Sequence, residues 1–357
     1  CCEMRSRRWK TMAELTKWYE KAGNCGDVVC STRVRLARNL KQFPFPARAT
    51  DKQLEAVEQS VKDALLSGNS ILSKEFRFIP LDNISEEEAV SLVERHIVSP
   101  EFISDRHGKA VLISEDESIS IMINEEDHLR IQVLREGLSL KEAAETADRI
   151  DTLLSETLDF AYDPEFGYLT QCPTNLGTGM RVSVMLHLPA LTENGAMPRI
   201  SSNLSKLGLT LRGTYGEGSK IIGALYQLSN QITLGLSENE AIENLRSITV
   251  QLMEEERKAR SQMSENIAWQ DKIDRAAGIM KTARVLSSSE FMELLSYIRF
   301  GLSTGVLQGV STEELNTLMV NAQPATLMAK AGKTLDENQR DVIRANMARE
   351  LCAKIKE

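Results

Sequence analysis

The 357-residue chain has few of the side chains that build metal centres or disulfide frameworks: six cysteines, four histidines and no Cys-x-x-Cys pair. Cys1, Cys2, Cys25, Cys30, Cys172 and Cys352 are too scattered to staple a fold of this length, so a reducing, cytoplasmic setting and no side-chain metal site are expected. No stretch approaches the ~20 apolar residues of a membrane span. The basic start, Cys1 to Lys10, is not followed by an apolar segment, so neither export nor membrane insertion is expected. Met12 reads as a natural start, with residues 1–11 an upstream extension. Positive charge is also short. Lys and Arg number 43 against 51 Asp and Glu, a net charge of −8, which excludes broad binding to nucleic acid or to an acidic membrane surface. Any anion site must therefore be local. Absent too are the Walker Gly-x4-Gly-Lys-Ser/Thr loop and the His-Arg-Asp and Asp-Phe-Gly sets.

What is present is ordinary globular material, 42% hydrophobic and 26% charged, with room for two domains at about 150 residues each. Its texture changes along the chain. Only Pro324 follows Pro198, and the last third reads as nearly continuous helix, whereas the earlier part mixes strands with capped helices. An α+β chain is expected, with an antiparallel sheet and capped helices over the first two thirds and a largely helical region after about Glu256. Ser85 with Glu88, Ser139 with Glu142 and Ser237 with Glu240 each spell a capping box ahead of helical periodicity. Ala110 to Ser114 and Ser118 to Ile123 form a hairpin pattern, with Leu129 to Leu134 as a third strand. From Arg181 to Leu188 the alternation is clean: Val182, Val184 and Leu186 go to one face, while Arg181, Ser183, Met185 and His187 go to a half-exposed other.

Four clusters could carry chemistry. In Ser31-Thr32-Arg33-Val34-Arg35 the two arginines share one face of an extended segment, a fork suited to phosphate oxygens; ordinary surface arginines are the plain alternative. Asn124-Glu-Glu-Asp-His-Leu-Arg130 would align Glu126, His128 and Arg130 by period two, or simply form an acidic hairpin end. Gln171 to Gly179 holds Cys172 and two glycines whose backbone could approach phosphate, although buried inert thiols are common. Leu211 to Ser219 places Arg212 and Glu217 on a glycine-rich segment with the composition of a lid or of a turn-rich connection. Five arginines on four such segments of an acidic protein could clamp a polyphosphate.

Taken together, Ser31-Thr-Arg-Val-Arg-Leu-Ala-Arg-Asn39, Asn124 to Arg130, Cys172-Pro-Thr-Asn-Leu-Gly-Thr-Gly-Met-Arg181 and Arg212-Gly-Thr-Tyr-Gly-Glu217 closely resemble the guanidino-phosphagen kinases, relatives of creatine and arginine kinases. The resemblance implies an N-terminal extension over residues 1–26, a phosphagen-kinase-like catalytic domain with a helix-flanked antiparallel sheet over 27–255 that uses ATP and Mg2+, and an all-α domain over 256–357. ATP would lie against Ser31, Thr32, Arg33, Val34 and Arg35, and against Arg181, Val182, Ser183, Val184 and Met185. Arg130 and His96 would stand beside it, and Arg212, Gly213, Thr214, Tyr215, Gly216 and Glu217 would close over it. Glu126 and Glu217 would clamp the acceptor guanidinium, and Cys172 would be the family's reactive cysteine. Two departures bear on base contacts only: Met185 stands where small-guanidine kinases usually have a histidine, and Cys30-Ser31-Thr32 replaces a Ser-Ser pair.

Kinases for free creatine or arginine carry a helical domain ahead of the catalytic one, and here the first motif begins at Ser31 with the extra mass C-terminal. That arrangement resembles the bacterial protein-arginine kinases of the stress response, whose Arg-Asp-x-x-Arg-Ala phosphoarginine motif matches Arg340, Asp341, Arg344 and Ala345. On a helix Arg340 and Arg344 share a face. The resemblance implies phosphorylation of arginine in proteins and an allosteric phosphoarginine site. It also implies candidate partners: protein substrates with exposed arginines such as a heat-shock repressor, a zinc-finger activator, a Clp-type unfoldase, and further copies of the chain in a homo-oligomer. No direct nucleic-acid or membrane contact is expected. Two alternatives remain: a small-molecule guanidine kinase, and a noncatalytic adaptor that binds phosphoarginine proteins.

Overall fold

The computed structural model describes residues 16–21, 23–66, 75–213 and 221–356. The strands are β1 Val29–Arg38, β2 Phe76–Pro80, β3 Ala110–Ser114, β4 Ile119–Ile123, β5 Leu129–Glu136, β6 Tyr162–Asp163, β7 Gly167–Tyr168, β8 Met180–His187, β9 Leu209–Gly213 and β10 Leu225–Asn230. Eight of them form one sheet in the order β2-β3-β4-β5-β1-β8-β10-β9, every pairing antiparallel, and β6 with β7 makes a small separate hairpin. The α-helices are α1 Asp51–Leu66, α2 Glu86–Glu94, α3 Pro100–Ser104, α4 Leu140–Ser155, α5 Pro189–Glu193, α6 Met197–Lys206, α7 Glu238–Ser264, α8 Ile267–Thr282, α9 Ser288–Thr304, α10 Thr312–Asn321, α11 Pro324–Ala331 and α12 Glu337–Cys352.

Period two decides which side chains fill the core. Val34, Leu36, Ile131, Val133, Val182, Val184 and Leu186 are buried on the first face of the sheet, where Ala143, Ala147, Ile150 and Leu154 of α4 supply a helical stripe in the same cluster. Each such Ile, Leu or Val contributes about 1.5–3 kcal/mol on leaving water. On the second face, α2 and α3 cover β3 and β4 with Leu92, Ile97 and Phe102 against Val111, Ile113 and Met122. At the other side of that face Cys30, Met185 and Leu225 cluster with Met292 of α9 and Met319 of α10. The half-exposed face expected at Met185 and His187 is therefore covered, and only the stretch around Arg181 stays partly open.

The capping boxes at Ser85 and Ser237 form as expected. The one at Ser139 does not: its backbone N–H donates to Thr32 Oγ1 at 3.0 Å and its hydroxyl donates to the Glu136 carbonyl at 2.9 Å, so a tertiary partner displaces the box. Helix α7 runs unbroken to Ser264, through the expected division at 255–256. Its buried Glu256 accepts from the backbone N–H groups of Ala190 and Leu191 at the start of α5, and from Arg260 at 2.7 Å. Arg260 also donates to the carbonyls of His187 and Asp27 and to Ser303. One buried ion pair thus ties α7 to the end of β8 and to α9. Among the described residues no helix is long and apolar enough to cross a membrane.

Candidate active site

The register of β1 against β8 sets Arg35 opposite Arg181 and Arg33 opposite Ser183 on the second face. Arg130 on β5 belongs to the same group, its charge pressing on both Arg33 and Arg35. Arg33 Nη2 donates to Gln227 Oε1 at 2.7 Å and its Nε to Ser183 Oγ at 3.4 Å. The Nε atoms of Arg35 and Arg181 are buried without a hydrogen-bond partner. Burial first, and the neighbouring guanidinium charges second, pull Arg33 down to about 10, Arg35 well below its ordinary value and Arg181 in the same direction. Arg212 at the end of β9 is close enough to Arg181 to contribute to that repulsion. Like charges held together at such cost, with Glu125 and Glu126 nearby offsetting only part of them, suit an anion among them.

The acceptor side is built on the turn between β4 and β5. Asn124, at φ +60°, starts it and is held by its amide donating to the carbonyls of Leu54 and Gly108. Glu125 accepts from Ser99 and pairs with Arg130 at 2.7 Å, while Glu126 stands 3.5 Å from Arg130 and lines the same cavity as Cys172. Burial raises the Glu126 carboxyl above its ordinary value against the opposing pull of Arg130. Asp127 accepts from Asn39 Nδ2 at 2.6 Å and from the Gln171 backbone at 2.7 Å, which fixes the Glu126 turn against the Cys172 segment. Cys172 Sγ also lies 3.0 Å from Thr174 Oγ1. Arg35, Arg130, Arg181, Glu126 and Cys172 together line a cavity of about 100 Å³.

Period two does not hold through this turn. His128 leaves the face expected to unite it with Glu126 and Arg130: it is buried, accepting from the Leu40 N–H at Nδ1 and meeting the Pro44 carbonyl at Nε2. Thr32, Val34, Val182 and Val184 also turn inward, with Thr32 Oγ1 donating to the Gly137 carbonyl, so no side chain of these four reaches the cavity. Ser31, Ser183 and Met185 share the arginine face but lie further along it. His96 follows α2 at φ +62°, and burial beside Arg33 lowers it to about 4, which leaves a neutral ring at physiological pH. Gly213 ends β9, whereas Thr214, Tyr215, Gly216 and Glu217 lie outside the described residues. The pinning contacts of Asp127, Ser99 and Gln227 had no signal in the sequence beyond Asp127's place in its motif.

The chain that builds this guanidinium-lined cavity beside a carboxylate and a thiol is similar to known proteins. Residues 56–259 match the ATP:guanido phosphotransferase, C-terminal catalytic domain, and residues 266–357 match the protein-arginine kinase McsB C-terminal domain. The protein-arginine kinase of Clostridium acetobutylicum is 44% identical over 339 residues, which span 94% of this chain and 99% of that protein. The chain belongs to the protein-arginine kinase family. A second member, from Halothermothrix orenii, is 45% identical over 93% of this chain and 95% of its own length. Among solved structures, lombricine kinase superposes with a TM-score of 0.59 at 25% identity, covering 69% of this chain and 70% of that one. The duplicated taurocyamine kinase from Schistosoma mansoni, with bound transition-state analogue components, reaches 0.59 at 26% identity over 77% of this chain and 41% of that one.

In the region matching the protein-arginine kinase C-terminal domain, α12 carries Arg340, Asp341, Arg344 and Ala345. Arg344 is buried: its Nε donates to the Ala322 carbonyl at 2.9 Å, its Nη1 to the Leu286 carbonyl at 2.8 Å and to Asp341. Ala345 is fully buried, whereas Arg340 and Asp341 are half-buried, with Arg340 Nη1 donating to the Leu335 carbonyl at 2.6 Å. Arg340 and Asp341 are thus the more open members of the group.

Proposed function

We infer that the chain transfers the γ-phosphoryl group of ATP to arginine side chains of proteins. The observation that carries this reading is the meeting of Arg35, Arg130 and Arg181 with Glu126 and Cys172 in one small cavity. A protein guanidinium stays protonated, with a pKa above ~12, and is a poor nucleophile until a base removes its proton. Glu126, together with Glu217, holds the fork in line, and one of the two carboxylates takes the proton. The guanidino nitrogen then forms a bond to the γ-phosphorus as the bond to the ADP oxygen breaks. Arg33, Arg35, Arg130, Arg181 and Arg212 offset the phosphate charge, so positioning and electrostatics supply most of the rate. Cys172, which lines the same cavity as Glu126, is placed to orient that carboxylate.

Magnesium would accompany ATP as part of the substrate and would supply neutralising charge to its phosphates; among the described residues no group of three His, Cys, Asp or Glu could hold an ion by itself. The reading extends to a catalytic region ending in α7 and a helical region after it, where Arg340 and Asp341 read phosphoarginine and bias activity and self-association. A heat-shock repressor as target, a zinc-finger activator, a Clp-type unfoldase and a cytoplasmic setting complete the proposal. The test is incubation with ATP, magnesium and a folded basic protein, followed by detection of acid-labile phosphate on arginine. Turnover of free arginine or creatine in place of protein would support the small-guanidine alternative, and absence of any transfer the adaptor.

A further inference from the structure

We propose that a groove of about 570 Å³ beside the β6–β7 hairpin docks a second basic side chain of the acceptor polypeptide, about four residues from the arginine that is phosphorylated. This rests on reading the chain as a kinase of protein arginine. The groove lies between the end of α4 and the hairpin, where Glu156 and Asp159 line it together with Phe160, Tyr162 and Tyr168. Tyr168 stands four residues before Cys172, so at ~3.3 Å per residue the groove is within about 13 Å of the acceptor cavity. Asn39 joins the two. Its carbonyl accepts from the Ala161 N–H at 2.7 Å, and its amide donates to the Leu169 carbonyl at 3.0 Å and to Asp127, next to Glu126, at 2.6 Å. The Tyr168 N–H donates to the Gly177 carbonyl at 2.8 Å, which fastens the hairpin to the segment that carries Cys172. Groove and cavity are thus held on one scaffold.

The lining suits a guanidinium or an ammonium. Glu156 and Asp159 are exposed, and among the described residues no lysine or arginine lines the groove. Tyr162 is 58% exposed, yet its ring is set in place edge-on to Tyr168, with centroids 5.3 Å apart at 76°. An aromatic face beside carboxylates attracts a cation. The molecule uses this chemistry once already: the Arg38 guanidinium lies 3.5 Å from the centre of the Tyr168 ring, and its Nε and Nη2 donate to Asp151 at 2.9 and 2.8 Å. That internal pair is closed, so it leaves little charge to repel a second cation. Tyr162, Glu156 and Asp159 repeat the aromatic and acidic halves of the arrangement at the surface, with the cation left to a partner. The acceptor carries a cation by definition, and a chain of net charge −8 draws basic segments toward it.

Fluorescence anisotropy of the full chain with labelled glycine- and serine-rich peptides tests this. Each peptide holds one arginine and, about four residues to either side, lysine, glutamine or leucine. One exposed ion pair and one exposed cation–π contact are each weak, so wild type is expected to bind the lysine peptide about fivefold tighter than the glutamine one. The preference is expected to vanish in Glu156→Gln with Asp159→Asn, and also in Tyr162→Ala, which leaves the charge unchanged. The glutamine peptide and inorganic tripolyphosphate should bind all three proteins alike. Equal binding of lysine and glutamine peptides by wild type overturns the proposal, as does a lysine preference that survives in either variant. A leucine peptide as tight as the lysine one marks an apolar dock instead and overturns it too. Transfer of phosphate to arginine of a folded basic protein, assayed in parallel, tests the kinase reading separately: if transfer stands without a lysine preference, only the groove fails.

Discussion

Two sets of arginines in this molecule differ in how their donors are spent. In and beside the helical region, Arg260 is closed by Glu256, two carbonyls and Ser303, Arg299 by Asn316 and Cys30, and Arg344 by two carbonyls and Asp341. On the sheet face, Arg35 and Arg181 keep buried Nε atoms without partners and face other arginines. A guanidinium offers five donors, and a desolvated charge without a partner costs several kcal/mol. The first set therefore holds the fold together. The second, only partly offset by Glu125 and Glu126, suits a ligand that brings its own negative charge, and burial of the kind seen at Arg344 does not by itself mark a site.

The acceptor carboxylates give the largest expected effect. Glu126→Gln and Glu217→Gln should each lower phosphotransfer by on the order of 10² or more while ATP affinity is kept, since base and positioning contributions have that size. Steady-state rates with a protein acceptor check this, and a Gln variant at near wild-type rate removes that residue from the mechanism. The pH profile refines it. A base works deprotonated, and burial raises the Glu126 carboxyl, so kcat/KM should fall on acidification at a pH above the ordinary glutamate value of about 4.3. An acid limb that is identical in Glu126→Gln assigns the titration elsewhere.

Next in size is the phosphate clamp. Arg181→Lys keeps the charge but loses the planar fork; hydrogen bonds to charged groups are worth about 1.5–3 kcal/mol, so ATP affinity should drop by roughly 10–100-fold. Unchanged binding in calorimetry would show that charge alone suffices. The opposite set should respond in stability. Arg344→Ala leaves the carbonyls of Ala322 and Leu286 without their donor and should cost about 2 kcal/mol by denaturant unfolding, with ATP affinity unchanged. A variant as stable as wild type would erase the distinction drawn between the two sets. Last, Arg340→Ala with Asp341→Ala should abolish stimulation by added phosphoarginine, and it should also lower stability because the buried Arg344 loses its carboxylate partner. Equal stimulation of wild type and double variant would place that site elsewhere.

Much of this architecture is legible in the residues because it is local. Period two gives the β3–β4 hairpin and β8, and Ser85 and Ser237 announce their helices. The arginine fork of β1 and its alignment with Arg181 follow from strand geometry once the strands pair. What stayed hidden is tertiary. Thr32 takes the N–H that the Ser139 box would have used. A left-handed Asn124 breaks the alternation that would have set His128 beside Glu126. Met185, on a face that alternation alone leaves exposed, is covered by helices more than a hundred residues later in the chain. Arg344 reads as a phosphoarginine-site residue that shares a helix face with Arg340, and nothing in the sequence announces its two carbonyl partners, 22 and 58 residues away.

The central claim is that the sheet-face arginines are reserved for a polyphosphate, and thermal unfolding with inorganic tripolyphosphate tests it with no acceptor, base or magnesium involved. A ligand at a hundred times its Kd stabilises the folded state by about 2.7 kcal/mol, so the Tm of wild type should rise with tripolyphosphate and that of a variant carrying Arg35→Ala and Arg181→Ala should not. A wild-type Tm indifferent to tripolyphosphate, or an equal rise in both proteins, would contradict the account.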